Sequence, residues 1–138
     1  AVRWLKLRAA QNPQQIRIVP DDKLHRKGAR VEIEVANLAN RSLLLFNIAG
    51  DGTVQMLYPL GTDAPVRSDP NYRIQLQVRD PLGADQVVAV TATRRLGELE
   101  QGLRQLDKRR NPMRVSELIT QFASNDVLVG SAGLFTAP

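Results

Sequence analysis

Val31, Ile33 and Val35 alternate with Glu32 and Glu34. A period of two sets the apolar side chains on one face of a strand and the carboxylates on the other, toward water. Ile74, Leu76 and Val78 alternate with Arg73, Gln75, Gln77 and Arg79 in the same way. Leu43 to Ile48 differs, being apolar throughout except for Asn47. Ala49-Gly50-Asp51-Gly52 then supplies residues that tolerate positive φ, so the chain reverses into a second arm, Thr53 to Tyr58. Val54, Met56 and Tyr58 share one face of that arm and Thr53, Gln55 and Leu57 the other, and Pro59 ends the pairing because it has no N–H to donate. Leu60 to Asn71, with Gly61, Pro65, Ser68, Asp69 and Pro70, reads as a loop. The turn Asp80-Pro81-Leu82-Gly83 leads into a second apolar run, Val87 to Ala92. Arg3 to Arg8 and Gln15 to Val19 are predicted as strands interrupted by Asn12-Pro13, although Trp4, Leu5 and Leu7 do not settle on one face.

From Leu96 the period changes. Leu96, Leu99, Leu103 and Leu106 fall at helical spacing, weakened by Gly97 and Gly102. Val115, Leu118, Ile119 and Phe122 sit at i, i+3, i+4 and i+7 and predict a short amphipathic helix, with Ser116 near its start and Ser124-Asn125 at its end. Asp126 to Val129 returns to strand character, and Gly130, Gly133 and Leu134-Phe135 suggest a last, bulged strand. Short strands joined by turn-rich connections predict a mainly β fold, an antiparallel β-sandwich or open barrel with one or two short helices inserted near the C-terminal end.

The chain's 138 residues, 43% hydrophobic and 24% charged, suffice for one domain over 1–138 with its own core. No apolar run approaches the roughly 18 residues of a membrane-spanning helix. The opening Ala1-Val2-Arg3-Trp4 carries neither an initiator Met nor a signal pattern, which reads as a segment of a larger protein or a processed product. With no cysteine there is no disulfide, thiolate metal site or thiol nucleophile, and the compartment stays open.

Acid–base chemistry has little to build on. His25 is the one histidine and lies in the basic stretch Lys23 to Arg30, where it is expected to be a solvated loop residue. The carboxylate pairs Glu32/Glu34 and Glu98/Glu100 are read as solvated faces. Gly50-Asp51-Gly52 lacks the further oxygen ligands and closing Glu of a calcium loop, and Gly28, Gly61 and Gly83 stand singly, so no metal and no nucleotide or other cofactor is expected. The net charge of +5 is uneven, because Gln101 to Arg114 holds Arg104, Lys108, Arg109, Arg110 and Arg114 against a single carboxylate, Asp107. That stretch is a candidate basic surface for nucleic acid or anionic lipid. Without interleaved stacking aromatics nucleic acid is the weaker of its readings. Tyr58, Pro59 and Tyr72, aromatics beside a rigid proline, are the candidate surface for a protein or peptide partner, including another domain of the same chain.

The stretch Ser42-Leu43-Leu44-Leu45-Phe46-Asn47-Ile48-Ala49-Gly50-Asp51-Gly52-Thr53-Val54-Gln55-Met56-Leu57-Tyr58-Pro59 is a strand, a Gly-rich turn and a strand ending in Tyr-Pro. It resembles the signature of the bacterial domain of unknown function 4384 family. Asp80-Pro81-Leu82-Gly83-Ala84-Asp85, followed by Val87 to Arg94, resembles the family's second landmark, a Pro-x-Gly turn feeding an apolar strand. The resemblance spans Val31 to Thr93, a little under half the chain, and implies a non-enzymatic accessory β domain of larger bacterial proteins, often attached to caspase-like peptidases and sometimes to protein kinases. It implies no catalytic residues. Asn47 departs from the pattern, which has an acidic residue there in many relatives, and the basic Gln101 to Arg114 segment is no part of it.

Overall fold

In the computed structural model, which describes residues 2–11, 13–61, 65–122 and 126–138, continuous and alternating apolar runs occupy different layers. The chain runs α1 (Val2–Gln11), β1 (Ile16–Val19), β2 (His25–Arg26), β3 (Arg30–Val35), β4 (Arg41–Ile48), β5 (Val54–Tyr58), β6 (Val66–Arg67), β7 (Tyr72–Gln77), β8 (Ala84–Ala92), α2 (Gly97–Gln105), α3 (Pro112–Phe122) and β9 (Leu128–Ala137). A six-stranded sheet in the order β2-β9-β8-β4-β5, with β6 beside the start of β4, is the middle layer. The three-stranded sheet β1-β3-β7 covers one face and the helices cover the other. All pairs are antiparallel except β2 with β9. The result is a β-sandwich, not a closed barrel, with a helical layer added.

β4 and β8 pair from Ser42↔Ala92 to Ile48↔Gln86 and form the middle of this arrangement. Leu44, Phe46, Val88 and Val90 pack toward Leu99, Leu103, Val115 and Ile119 of the helices. Leu43, Leu45, Val87 and Ala89 pack toward Val31, Ile33 and Val35 of the small sheet. A strand buried on both faces has no polar positions to alternate with, hence the two continuous runs, whereas β3 and β7 keep one face toward solvent. Each fully buried Leu, Val or Phe here contributes about 1.5–3 kcal/mol of transfer free energy.

The helices are set by local signals. Pro112 opens α3 at its first position, where a missing N–H costs nothing, and the Asn111 Oδ1 accepts the Arg114 N–H at 3.3 Å as its cap. Ser116, expected near the start, is a second-turn residue whose hydroxyl donates back to the Met113 carbonyl. The expected Ser124-Asn125 stop and the Asn12 break lie outside the described residues, as do 62–64 of the expected loop.

Four expectations fail, each for a tertiary reason. Tyr58 does not share the face of Val54 and Met56, because the register shift between Leu45 and Phe46 turns it, with Leu57, toward the small sheet. Arg3 to Arg8 is helix, because α1 docks on β9 and α3 with Leu5 buried and Trp4 packed against the same core. The last strand is not bulged: β9 pairs with β8 without a break from Ala84↔Phe135 to Thr91↔Leu128, and the register slip sits instead in the β4–β5 hairpin, between Leu45 and Phe46. Gly130 is needed for a different reason, since a Cβ there would lie 2.2 Å from the Gln14 carbonyl oxygen, where the segment leading into β1 crosses β9. His25, expected in water, is only 6% exposed, because β2 pairs in parallel with the end of β9, His25 opposite Thr136.

The Gln14 crossing closes one flank of the sandwich. The Gln14 N–H donates to the Val129 carbonyl at 3.1 Å, and its side-chain oxygen accepts from the Thr91 hydroxyl at 2.7 Å. On the opposite flank the Tyr58 and Tyr72 rings bring β5 and β7 together at one end, and no main-chain hydrogen bond joins the two strands among the described residues.

Candidate site in the open flank of the sandwich

β5 and β7 are the edge strands on this flank, and their main chains are treated differently. On β5 the outward groups are taken by the α2–α3 connection. Val54 N–H donates to the Arg109 carbonyl at 2.8 Å, Lys108 N–H donates to the Val54 carbonyl at 2.6 Å, and the Asp107 Oδ1 accepts the Met56 N–H at 2.9 Å. Lys108 adopts φ 66° to make this turn. On β7, Val78 exchanges main-chain bonds with the β3 side, to Ala29 at 2.8 Å and from Gly28 at 2.9 Å. Strand alternation then aims Tyr72, Ile74 and Leu76 at β3 as well, and turns the N–H and C=O of Arg73, Gln75 and Gln77 outward. No described group bonds to these outward groups.

A cleft of about 420 Å³ lies between the two edges, within the roughly 300–1,000 Å³ typical of ligand pockets. Thr53, Gln55 and Leu57 line its β5 wall, while Gln75 to Val78 line the β7 wall. Val31 and Val87 form an apolar interior, and Asn47 and Asp85 form a polar end. A second depression, of about 410 Å³, lies on the outer face of the small sheet around the Arg17–Glu34 ion pair and Arg73.

Asp85 is only 7% exposed. Its Oδ2 accepts from Asn47 Nδ2 and its Oδ1 from the Gly50 N–H, each at 3.0 Å, so the carboxylate ties β8 to the turn of the β4–β5 hairpin. Burial pushes its pKa above the ordinary carboxylate value, the two hydrogen bonds oppose this, and the nearby Asp51 charge adds to it. Both its bonds come from neutral donors. Asn47 Oδ1 is enclosed and has no hydrogen-bond partner among the described residues. An acidic residue at position 47 would set a second carboxylate against Asp85, whereas Asn47 donates to it.

Tyr58 and Tyr72 come together, with ring centroids 4.6 Å apart, and both are half-buried against the inter-sheet core. Arg67 lies 5.6 Å and 5.2 Å from the two ring centroids and donates to the Tyr58 hydroxyl at 3.1 Å and to the Asn71 carbonyl at 3.2 Å. Burial raises the Tyr72 phenol, with the Tyr58 ring adding and Arg67 opposing. Pro59 is buried, so it adds no exposed surface to the pair, and its carbonyl accepts from Arg104.

The five basic residues are largely engaged in structure. Arg104 pairs with the buried Glu100 and donates to the Pro59 and Gly61 carbonyls, Arg110 pairs with Asp51 at 3.3 Å, and Arg114 pairs with Glu117 at 3.1 Å. Lys108 and Arg109 are exposed, with no ion pair among the described residues. Of the carboxylate pairs expected in water, Glu34 is held by Arg17 and Glu100 is buried. Among the described residues no three His, Cys, Asp or Glu side chains group as a metal site would require.

Sequence reasoning did not single out Asp85, Arg67 or the free edge of β7. Asp85 stood inside a quoted motif, and the Arg73–Gln77 alternation marked a strand, but which strand would be left without a neighbour depends on sheet order. No known family model matches the chain, and no curated protein does either.

Proposed function

We propose that this chain is a non-enzymatic accessory module that binds or positions another polypeptide within a larger bacterial protein, of the kind the domain-4384 resemblance implies, associated with a caspase-like peptidase or the cell envelope. The observation that carries the reading is the open flank, where a rigid, doubly buried sheet presents a cleft of mixed polar and apolar lining beside an unpaired strand edge. The chemistry of the residues agrees with it. The chain has no thiol, and its one imidazole is enclosed beside β9 rather than placed in the cleft. The test is the mass of the native polypeptide in its source cells, captured with an antibody against this domain and mapped by its peptides. A much larger chain carrying a second domain supports the module, and a native chain of about this size overturns it.

A further inference from the structure

We infer that the slot beside β7 takes an extended segment of a partner polypeptide as an added strand, with a lysine of that segment reaching the Asn47–Asp85 end of the cleft. This rests on the reading of the chain as a polypeptide-binding module and names what it binds.

Three independent features of the slot define the occupant. The outward N–H and C=O groups of Arg73, Gln75 and Gln77 form a regular row of alternating donors and acceptors, which another strand satisfies and a compact ligand does not. At about 3.4 Å per residue the row matches an added strand of about five residues. The interior of the cleft behind the row is apolar at Val31, Leu57, Leu76 and Val87, while the exposed Gln55, Gln77 and Arg79 also line it, so the alternate side chains of the added strand that reach the interior enter it as apolar groups. At the polar end, and among the described residues, Asp85 is a buried carboxylate with no cation beside it, and Asn47 Oδ1 is an enclosed acceptor with no donor. The complement to two adjacent acceptors, one of them charged, is a donor-only cation. Lysine fits better than arginine: both Asp85 oxygens already accept a hydrogen bond, which leaves no open two-oxygen face for a guanidinium fork, while an ammonium bonds to single remaining lone pairs.

The capped edge supplies the internal contrast. Asp107 to Arg109 already do on β5 what the partner strand does on β7: main-chain groups pair with main-chain groups, and one side chain completes the row.

A random decapeptide library displayed on phage and panned against the full 138-residue chain tests the inference. The expected selection alternates apolar residues with period two and fixes a lysine at one inward position. For a synthetic peptide of that sequence, replacing the lysine by norleucine lowers affinity about tenfold or more, the loss of a charged hydrogen bond in a desolvated site. N-methylation of one alternate set of peptide nitrogens abolishes binding, and the other set leaves it unchanged. The amides of Gln75 and Gln77 slow in hydrogen exchange on binding. In the chain itself, Gln75→Pro removes an outward donor and abolishes binding; should that variant fold poorly, the N-methyl scan decides without altering the protein. Selection of no peptide, a pattern without period two, equal effects of both N-methyl sets, or norleucine binding as well as lysine each overturns the inference. The native-mass measurement is separate, so a chain of this size that still binds the peptide overturns the module reading alone.

Discussion

β5 and β7 face each other across one cleft, and each turns a row of main-chain groups away from its own sheet. On β5, Val54 and Met56 meet the Asp107–Arg109 turn, while on β7, Arg73, Gln75 and Gln77 meet nothing among the described residues. An unpaired edge invites pairing with another chain, and proteins ordinarily block it with a loop, a bulge, a proline or inward charges. Here one edge is blocked by a dedicated loop, and the other, six residues long with no proline, is left as a template. A residue's value therefore depends on the edge it serves. Within the basic Gln101 to Arg114 stretch, which by composition looks like a surface for phosphates, Asp107 to Arg109 work through their main chain and one carboxylate as a cap.

The difference between the two edges is largest on β7 itself. Leu76 donates toward β3, so Leu76→Pro removes a ladder bond and a half-buried side chain and is expected to cost about 2–4 kcal/mol. Gln75→Pro, one residue away, is expected to cost under about 1 kcal/mol because its N–H points outward. Urea denaturation of the two variants measures the difference, and equal losses would mean that Gln75 is paired after all. On β5, Asp107→Ala leaves the N–H of the buried Met56 without an acceptor, with an expected loss of about 1–3 kcal/mol, whereas Asp107→Asn keeps an acceptor oxygen and loses less.

A smaller effect follows from the polar end of the cleft. Asp85 is held above its ordinary 3.8 by burial, so the folded chain binds that proton more readily than the unfolded chain. Its contribution to stability therefore falls as pH rises from 3.8 through the raised value and is constant beyond. Asp51, held below 3.8 chiefly by the Thr53 N–H, acts oppositely: its contribution is present above 3.8 and is lost as pH falls through the lowered value. Asp85→Asn should remove the first slope and keep the second, which denaturation midpoints across the acid range will read as a change of slope. The smallest expected effect is that of Lys108→Glu with Arg109→Glu, within about 0.5 kcal/mol per site, because the exposed side chains take no part in the cap. A larger loss would show that side chains and not the main chain hold the β5 edge. The same variant discriminates the basic-surface reading, which alone requires it to abolish binding to anionic vesicles or nucleic acid.

Period decided what was legible in the sequence. The alternation of 31–35 and 72–78, the unbroken runs 43–48 and 87–92, and the hairpin between β4 and β5 are local patterns, and each became the element it predicted. The leucine spacing from Leu96 and the Val115–Phe122 stripe did so too. α1 escaped because Trp4, Leu5 and Leu7 form no stripe: Leu5 is enclosed, Trp4 is half-buried and Leu7 is exposed, and docking on β9 selects the helix. His25 escaped for a similar reason, its burial coming from a partner strand more than a hundred residues away. The candidate site was the least legible part. The cleft exists because β7 pairs with β3 rather than with its neighbours in sequence, and no spacing of residues announces which edge a sheet leaves bare.

β9 also governs the order in which the chain assembles as it is made. It provides the docking surface of α1, the acceptor for Gln14 and the partner strand of β2, yet it follows all of them in chain order and leaves the ribosome after them. At about 5–20 residues per second, the first helix waits on the order of ten seconds on the ribosome before its surface exists. The β3–β7 and β4–β8 pairings do not need β9 and are free to form during that interval. The first helix of this fold is thus among the last of its elements to be held in place.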